Sequence, residues 1–243
     1  MLLVNVVVDQ VLRCNMLIEK FNYKKIDRQT VNGKRHYCLP DGSKVPSVTT
    51  ILDATKPEEA KAVLNNWRKR MGAERAQQIT TEAASRGTRM HKWLELYVKN
   101  GRINEPGTNP YSKQSHTMAN TIIAEGLSPN VSEVWGIEVP LFYSGLYAGT
   151  SDQIGIWKDR PTIFDFKQTN KPKKREWIED YFLQLAAYAQ AHNQMFGTNI
   201  KSGLIMMCSK DFQYQEFHVV DEEFDYYVNL WWDRVEQYYR NQL

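Results

Sequence analysis

Cysteine is scarce in this chain and badly spaced for chemistry. Only Cys14, Cys38 and Cys208 are present, with no CxxC pair. That excludes the common structural zinc sites and a disulfide scaffold, and it fits a reducing compartment. Long hydrophobic runs are missing too. The opening MLLVNVVVDQV is apolar but short, lacks a basic leader and carries Asp9, so it reads as a strand or short packing element, not a signal peptide or membrane span. Repeats, low-complexity tracts and a Gly/Ser/Pro linker are absent as well. The 243 residues are expected to form effectively one domain, residues 56–243, with residues 1–55 as an accessory element packed on it. Charge of one sign is also lacking: 31 basic residues face 28 acidic ones, for a net charge of +3. That surplus is too small to indicate nucleic acid by itself, so the distribution of charge has to carry that argument.

Local patterns give the order of elements. Two strand-like runs in NGKRHYCLPDGSKVPSVTTIL flank Pro40-Asp41-Gly42, a turn signal. A polar helix is expected from Pro57 to about Gln78. A second follows from about Glu82 to Lys99, capped by Thr80 or Thr81 and stopped at Asn100-Gly101. YSKQSHTMANTIIAEG predicts a third. SEVWGIEVPLF, YAGTSDQIGIW and TIFDF then read as strands, followed by a long helix from about Lys174 to Phe196. GLIMMCS and YQEFHVV are further strands, and DEEFDYYVNLWWDRVEQYYRNQ is a closing helix with acidic residues at its N-terminal end. The expected fold is α/β, with a mixed central sheet flanked by helices in the order αβββαβ.

One stretch, PTIFDFKQTNKPKK, places charge inside a buried-looking strand. Asp165 and Lys167 alternate with Phe164 and Phe166, so both charges leave one face. Buried charge costs several kcal/mol unless it is paired or holds a metal. In GTSDQIGIW, alternation puts Asp152, Ile154 and Ile156 on one face. A short hairpin between the two strands would bring Asp152 and Asp165 together. A divalent cation relieves the repulsion of crowded carboxylates, and hard oxygen ligands favour Mg²⁺ or Mn²⁺. With Lys167 beside them, the set suits phosphodiester hydrolysis, the lysine orienting the nucleophile or stabilising developing charge. Short motifs also arise by chance. Glu59-Ala60-Lys61 matches the same acid-x-lysine pattern, but on an exposed helix.

Two further features lie near in sequence. His91 and Glu95 are four apart and share a helix face, with Gly87 one turn earlier to permit a close backbone approach. Trp177, Tyr181, Gln184 and Tyr188 form one stripe of the long helix. An aromatic stripe normally means core, yet Gln184 within it needs a specific hydrogen-bond partner.

Taken together, RGTRMHKWLE, YAGTSDQIG, DFKQT and YFLQLAAYAQA resemble the PD-(D/E)XK nuclease superfamily. The closer resemblance is to its RecB-type branch, with a helix-borne histidine, a GxxD strand, a DxK strand and a QxxxY helix. VPSVTTIL also looks like the opening segment of phage exonucleases and of the mitochondrial genome maintenance exonuclease. The likeness spans roughly residues 30 to 210. It implies a restriction-endonuclease-like core and makes His91, Asp152, Asp165 and the Phe166 carbonyl metal ligands. Lys167 becomes the catalytic lysine, beside Asp152 and Asp165. Gln184 and Tyr188 would support the site or contact DNA, with Glu95 and Glu138 as weaker candidates. Gln168 stands where such nucleases often have threonine or serine. The cysteine cluster of the iron–sulfur relatives is missing, so no such cluster is expected.

The implied activity is that of a metal-dependent DNA exonuclease working from DNA ends, in phage-type replication, recombination or host DNA degradation. Alternatives are a flap or junction endonuclease of the same superfamily and a non-catalytic DNA-binding recombination partner. Lys171, Lys173, Lys174 and Arg175, then Arg68, Lys69 and Arg70, and Arg86 and Arg89 supply local positive charge for phosphates. Tyr111, Trp135 or Tyr143 could stack bases of single-stranded DNA. The expected partner is DNA, single- or double-stranded ends, with no membrane; a single-strand-binding or recombination protein is compatible. The expected location is cytoplasmic, the host cytoplasm if a phage encodes the chain.

Overall fold

A computed structural model of the chain describes residues 16–242. The opening MLLVNVVVDQV and Cys14 lie outside the described residues. A small antiparallel sheet comes first: β1 (Asp27–Val31), β2 (Lys34–Cys38) and β3 (Lys44–Pro46). The expected turn joins β2 to β3, where Asp41 Oδ1 accepts from the Ser43 N–H at 2.9 Å and from its hydroxyl at 2.6 Å. A second hairpin, between β1 and β2, turns on Asn32-Gly33, with φ of 50° and 75°. Helix α1 (Val48–Ala54) follows, its first turn capped by Ser47 Oγ accepting from the Thr50 N–H at 3.0 Å. Val48, Ile51 and Leu52 of α1 are part of the main core.

Helices α2 (Glu58–Met71) and α3 (Ala73–Asn100) break at Gly72, earlier than the threonine-cap reading predicts. Gly72 makes the break with φ 79° and ψ 150°, a conformation open to glycine without strain. Thr80 sits inside α3, its hydroxyl donating to the Ala76 carbonyl at 2.9 Å. Gly101 closes α3 in the left-handed conformation, as expected. Helix α4 (Pro110–Ile122) continues through a π-helical turn, Ile123–Leu127, into the single turn α5 (Ser128–Asn130).

The main sheet contains β4 (Val131–Tyr143), β5 (Tyr147–Trp157), β6 (Arg160–Thr169), β7 (Ser202–Ser209) and β8 (Tyr214–Val220), in that spatial order. Only the β6–β7 pair is parallel. That pair needs a crossover, which α6 (Glu179–Phe196) provides, and α7 (Asp221–Arg240) ends the fold. The fold is mixed α/β, with one five-stranded mixed sheet between helical layers. Every residue of β7 is buried, because both faces of the sheet are covered. On one face Ile154, Ile163, Ile205 and Met207 pack with α1, α6 and α7. On the other, Phe164, Phe166, Leu204 and Met206 pack with α3 and α4. Alternation along β6 therefore sends Asp165 and Lys167 to the face that carries α6. Among the described residues, no helix is long and apolar enough to cross a membrane.

The long helix predicted from Lys174 is interrupted. Arg175–Trp177 is a 3₁₀ turn and α6 begins only at Glu179. The Arg175 guanidinium donates to the His218 carbonyl at 3.1 Å, pairs with Glu223 at 2.5 Å and lies over the Phe182 ring. These contacts tie the turn to β8 and α7. Trp177 consequently leaves the predicted buried stripe and is 62% exposed.

Candidate active site

The centre lies where two strands part. β5 and β6 pair from Trp157↔Arg160 as far as Gln153↔Phe164. Beyond that point β6 pairs with β7, while β5 meets the N-terminal sheet through a Ser47↔Ala148 bridge. Asp152 and Asp165 are the first residues past the last rung, so the fork is lined by carboxylates. The Phe166 N–H donates to Asp152 Oδ2 at 2.7 Å, and the Phe166 carbonyl accepts from His91 Nε2 at 2.8 Å. One peptide segment thus anchors both side chains. In the neutral ring the His91 bond also fixes the tautomer: Nε2 carries the proton and Nδ1 is the free nitrogen.

His91 Nδ1 lies 3.7 Å from Asp152 Oδ1 and 4.0 Å from Glu138 Oε1. One donor atom from each of the three residues falls within 4.8 Å of the others. Burial opposes charge on His91, but Asp152 and Glu138 outweigh it and push its pKa up to about 9. Glu138 reaches the group from β4 with a backbone φ of 51°, just after a register shift between Val134 and Gly136. A non-glycine residue in that region costs on the order of 1 kcal/mol. The sequence signal for this was weak: a glycine within a strand, two residues before an acid, marks an irregularity that can redirect a side chain.

Asp165 is 1% exposed, and both of its carboxylate oxygens are shut off from solvent. Its one charged contact is Lys167 Nζ, 2.5 Å from Oδ2. Burial raises the Asp165 pKa; Lys167 draws it back and Asp152 raises it again, with a net upward direction. Burial opposes the Lys167 ammonium, yet Asp165 and Asp152 outweigh it and hold its pKa above the usual lysine range. Two carboxylates and an imidazole nitrogen grouped beside the buried Asp165–Lys167 pair fit a divalent cation. Metal–ligand bonds of about 2.0–2.2 Å set donor atoms roughly 3–4.4 Å apart. His91, Glu138 and Asp152 would hold it; of the other expected ligands, Asp165 is paired with Lys167 beside them and the Phe166 carbonyl is engaged by His91 Nε2.

Helix α6 supplies the support that Gln184 suggested. Gln184 Oε1 accepts from Lys167 Nζ at 3.4 Å, and Gln184 Nε2 donates to the Tyr188 hydroxyl at 3.1 Å. Lys167 Nζ also lies 4.8 Å from the Tyr181 ring centroid. Tyr188 is buried directly over Gly149, where a Cβ would stand 2.6 Å from its ring. The glycine of the GxxD strand therefore makes room for the tyrosine of the QxxxY helix.

Other expected site residues lie elsewhere. Glu95 is held by Lys92 at 3.0 Å and Lys99 at 2.5 Å on its own helix, outside the His91–Glu138–Asp152 group. Gly87 faces the Gln168 side chain rather than another backbone; a Cβ at this position would stand 3.3 Å from it. Arg86 is buried, with Nε donating to Gln168 at 2.8 Å and a terminal nitrogen to Asn170. Those bonds tie α3 to the end of β6 and leave Arg86 poorly placed for phosphate. Arg89 donates to Ser115 and lies over Tyr111, on the α4 side of its helix. Arg175 is committed to Glu223, as described above. Lys171 and Lys174 are exposed, and the Lys173 backbone is paired with Gln215. Trp135 is buried and Tyr143 packs on Trp232, so of the three aromatics suggested for stacking only Tyr111 is open.

The chain is 30% identical over 210 residues to mitochondrial genome maintenance exonuclease 1 of Xenopus tropicalis, an alignment covering 80% of this chain and 57% of that protein. Against the Mus musculus protein of the same name the identity is 28% over 208 residues, covering 82% and 60%. These similarities support a PD-(D/E)XK-type nuclease superfamily for the chain. It spans roughly three-fifths of the length of the curated relatives it matches. No family model matches it. A solved Eubacterium rectale structure aligns with a TM-score of 0.47 at 14% identity, over 67% of this chain and 69% of that one. In superfamily terms the helix histidine is on α3, the GxxD strand is β5, the DxK strand is β6 and the QxxxY helix is α6.

Proposed function

We propose that this chain is a divalent-metal-dependent deoxyribonuclease that hydrolyses phosphodiester bonds from DNA ends. The observation that carries this reading is the fork itself: His91, Glu138 and Asp152 grouped beside a buried Asp165 that is paired with Lys167. Similarity to proteins named exonucleases supports it.

When bound, Mg²⁺ or Mn²⁺ would polarise the scissile phosphate and lower the pKa of a water. The roles of the chain's own groups follow from their surroundings. Lys167 offers three N–H donors, and Asp165 and Gln184 engage two. The third is free to orient the attacking water or neutralise charge on the phosphate in the transition state. Its raised pKa keeps it cationic near neutral pH. Gln184 and Tyr188 are positioning residues that hold the ammonium in line. His91 and Asp152 act through the Phe166 peptide, which locks both to the catalytic strand. Exposed Lys171 and Lys174 follow β6 directly and supply phosphate contacts for the incoming strand. The reading fits the phage-type roles in replication, recombination or DNA degradation, and a reducing, DNA-containing compartment for Cys38 and Cys208.

Incubation of wild type and Asp165→Ala with end-labelled linear and closed circular DNA in Mg²⁺ tests the reading. Wild type should shorten linear DNA and spare the circle, and the variant should leave both intact. Cleavage of the circle would instead favour an endonuclease. Undiminished degradation by the variant would remove Asp165 from the chemistry.

A further inference from the structure

We infer that the exposed indole of Trp177 is a stacking platform for an unpaired base of single-stranded DNA, with Lys174 and Lys171 contacting the adjoining phosphates. The inference rests on the reading above that DNA is the substrate, and it concerns what form of DNA the site selects.

Trp177 is 62% exposed although the next residue, Ile178, is 2% exposed. Leaving an indole in water forgoes a large burial gain, so its outward position needs a reason. The position is also fixed. The Trp177 backbone N–H donates to the Lys174 carbonyl at 3.1 Å, and neighbouring Arg175 is pinned to β8 and α7, so the turn that carries the ring is held. A pre-formed turn loses little backbone entropy when the ring it carries stacks.

The placement points toward the chemistry. Trp177 stands four residues before Tyr181, the ring beside Lys167 Nζ. Trp177 sits in the segment that joins the Lys167 end of β6 to the start of α6, the helix that packs on the face of the sheet carrying Asp165. Tyr111, the other strongly exposed aromatic near a cation, is on the α3–α4 side. Charge accompanies the ring: Lys174 Nζ lies 5.4 Å from its centroid, and Lys171 forms no ion pair among the described residues. Aromatic stacking with flanking cations is how single strands are held without reading sequence. A duplex hides all but its terminal base faces within the stack, so the platform favours an unpaired strand.

The test measures binding without cleavage. Fluorescence anisotropy with labelled oligo(dT) and with a blunt duplex, both in EDTA, would compare wild type, Trp177→Ala and Trp177→Phe. Trp177→Ala should weaken oligo(dT) binding by about 5- to 150-fold and change duplex binding less than about twofold. Trp177→Phe should recover most of the loss, and oligo(dT) should quench tryptophan emission less in that variant than in wild type. Oligo(dT) binding equal to wild type in Trp177→Ala would overturn the inference, as would equal losses on both DNAs. If wild type degrades DNA in Mg²⁺ while Trp177→Ala binds normally, only the platform fails. If wild type neither binds nor degrades DNA, the nuclease reading fails with it.

Discussion

Replacing Gly149 by alanine should damage the catalytic centre from behind, without touching a charged residue. The new Cβ would stand 2.6 Å from Tyr188 Cε1 and 3.0 Å from its hydroxyl. Ordinary carbon contacts are about 3.5–4.0 Å, so the ring has to move by roughly 1 Å. Tyr188 is 4% exposed and has little space to retreat into. Overpacking of this kind costs ~1–3 kcal/mol. For a chain of this size each kcal/mol lowers Tm by about 2–4 °C, giving an expected drop of about 2–12 °C. Tyr188 holds Gln184, and Gln184 holds Lys167, so the displacement reaches the ammonium. A shift of that size costs up to about 100-fold in rate, expected in kcat more than in KM. Urea unfolding of Gly149→Ala, Tyr188→Ala and the double variant forms a cycle that isolates the contact. With the ring removed, the alanine at 149 should cost less than about 0.5 kcal/mol. An equal cost in both backgrounds would refute the steric account, whatever the effect on rate.

Three other outcomes follow from the same geometry. Mn²⁺ or Mg²⁺ at about 100 times its Kd should stabilise wild type by ~2.7 kcal/mol, read as a rise in Tm; Asp152→Asn should lose most of that rise, and an unchanged rise would place the ion elsewhere. Lys167→Ala should abolish cleavage while binding DNA in EDTA within a few-fold of wild type. Lys167→Arg should not restore it, because a planar guanidinium cannot occupy the space between Asp165, Gln184 and the Tyr181 ring; a near-normal rate in the arginine variant would contradict the proposed role. Burial holds the buried His192 pKa down at about 4, against about 6.5 unfolded, with Tyr23 and Thr198 hydrogen-bonded to its ring. Between those values the unfolded chain binds the extra proton, so stability present above pH 6.5 is lost on acidification, by at most ~1.4 kcal/mol per pH unit. Urea unfolding at pH 7, 6 and 5 should show a shallower loss in His192→Gln, and identical slopes would remove His192 as the cause.

The order of elements was legible because it depends on local periodicity. β8 and the β-hairpin with Asp152 and Asp165 fall where alternation and turn residues place them. Asp165 and Lys167 share a face because β6 is extended, and the strand pattern alone required it. The errors have local causes with distant origins. The α2–α3 break is set by Gly72 at positive φ, whereas threonine caps suggested a later one. Trp177 fits a helical stripe by spacing, yet Arg175 is drawn to Glu223 and His218, far along the chain, and the helix starts after it. Glu138 joins the site through a bulge that no periodicity in β4 announces.

The sequence by itself determined which residue types could do chemistry and on which strand face they lie. Both follow from side-chain identity and the two-residue repeat of an extended chain. Only the tertiary structure decided which charges are available. Pairing of β6 with β7 opens the fork where Asp152, Glu138 and His91 group beside the Asp165–Lys167 pair. Packing of α3 and α7 consumes Arg86 and Arg175, which composition alone counts as phosphate ligands. Charge along a chain is fixed by its residues, but whether that charge meets a ligand or a neighbour depends on contacts between segments more than forty residues apart.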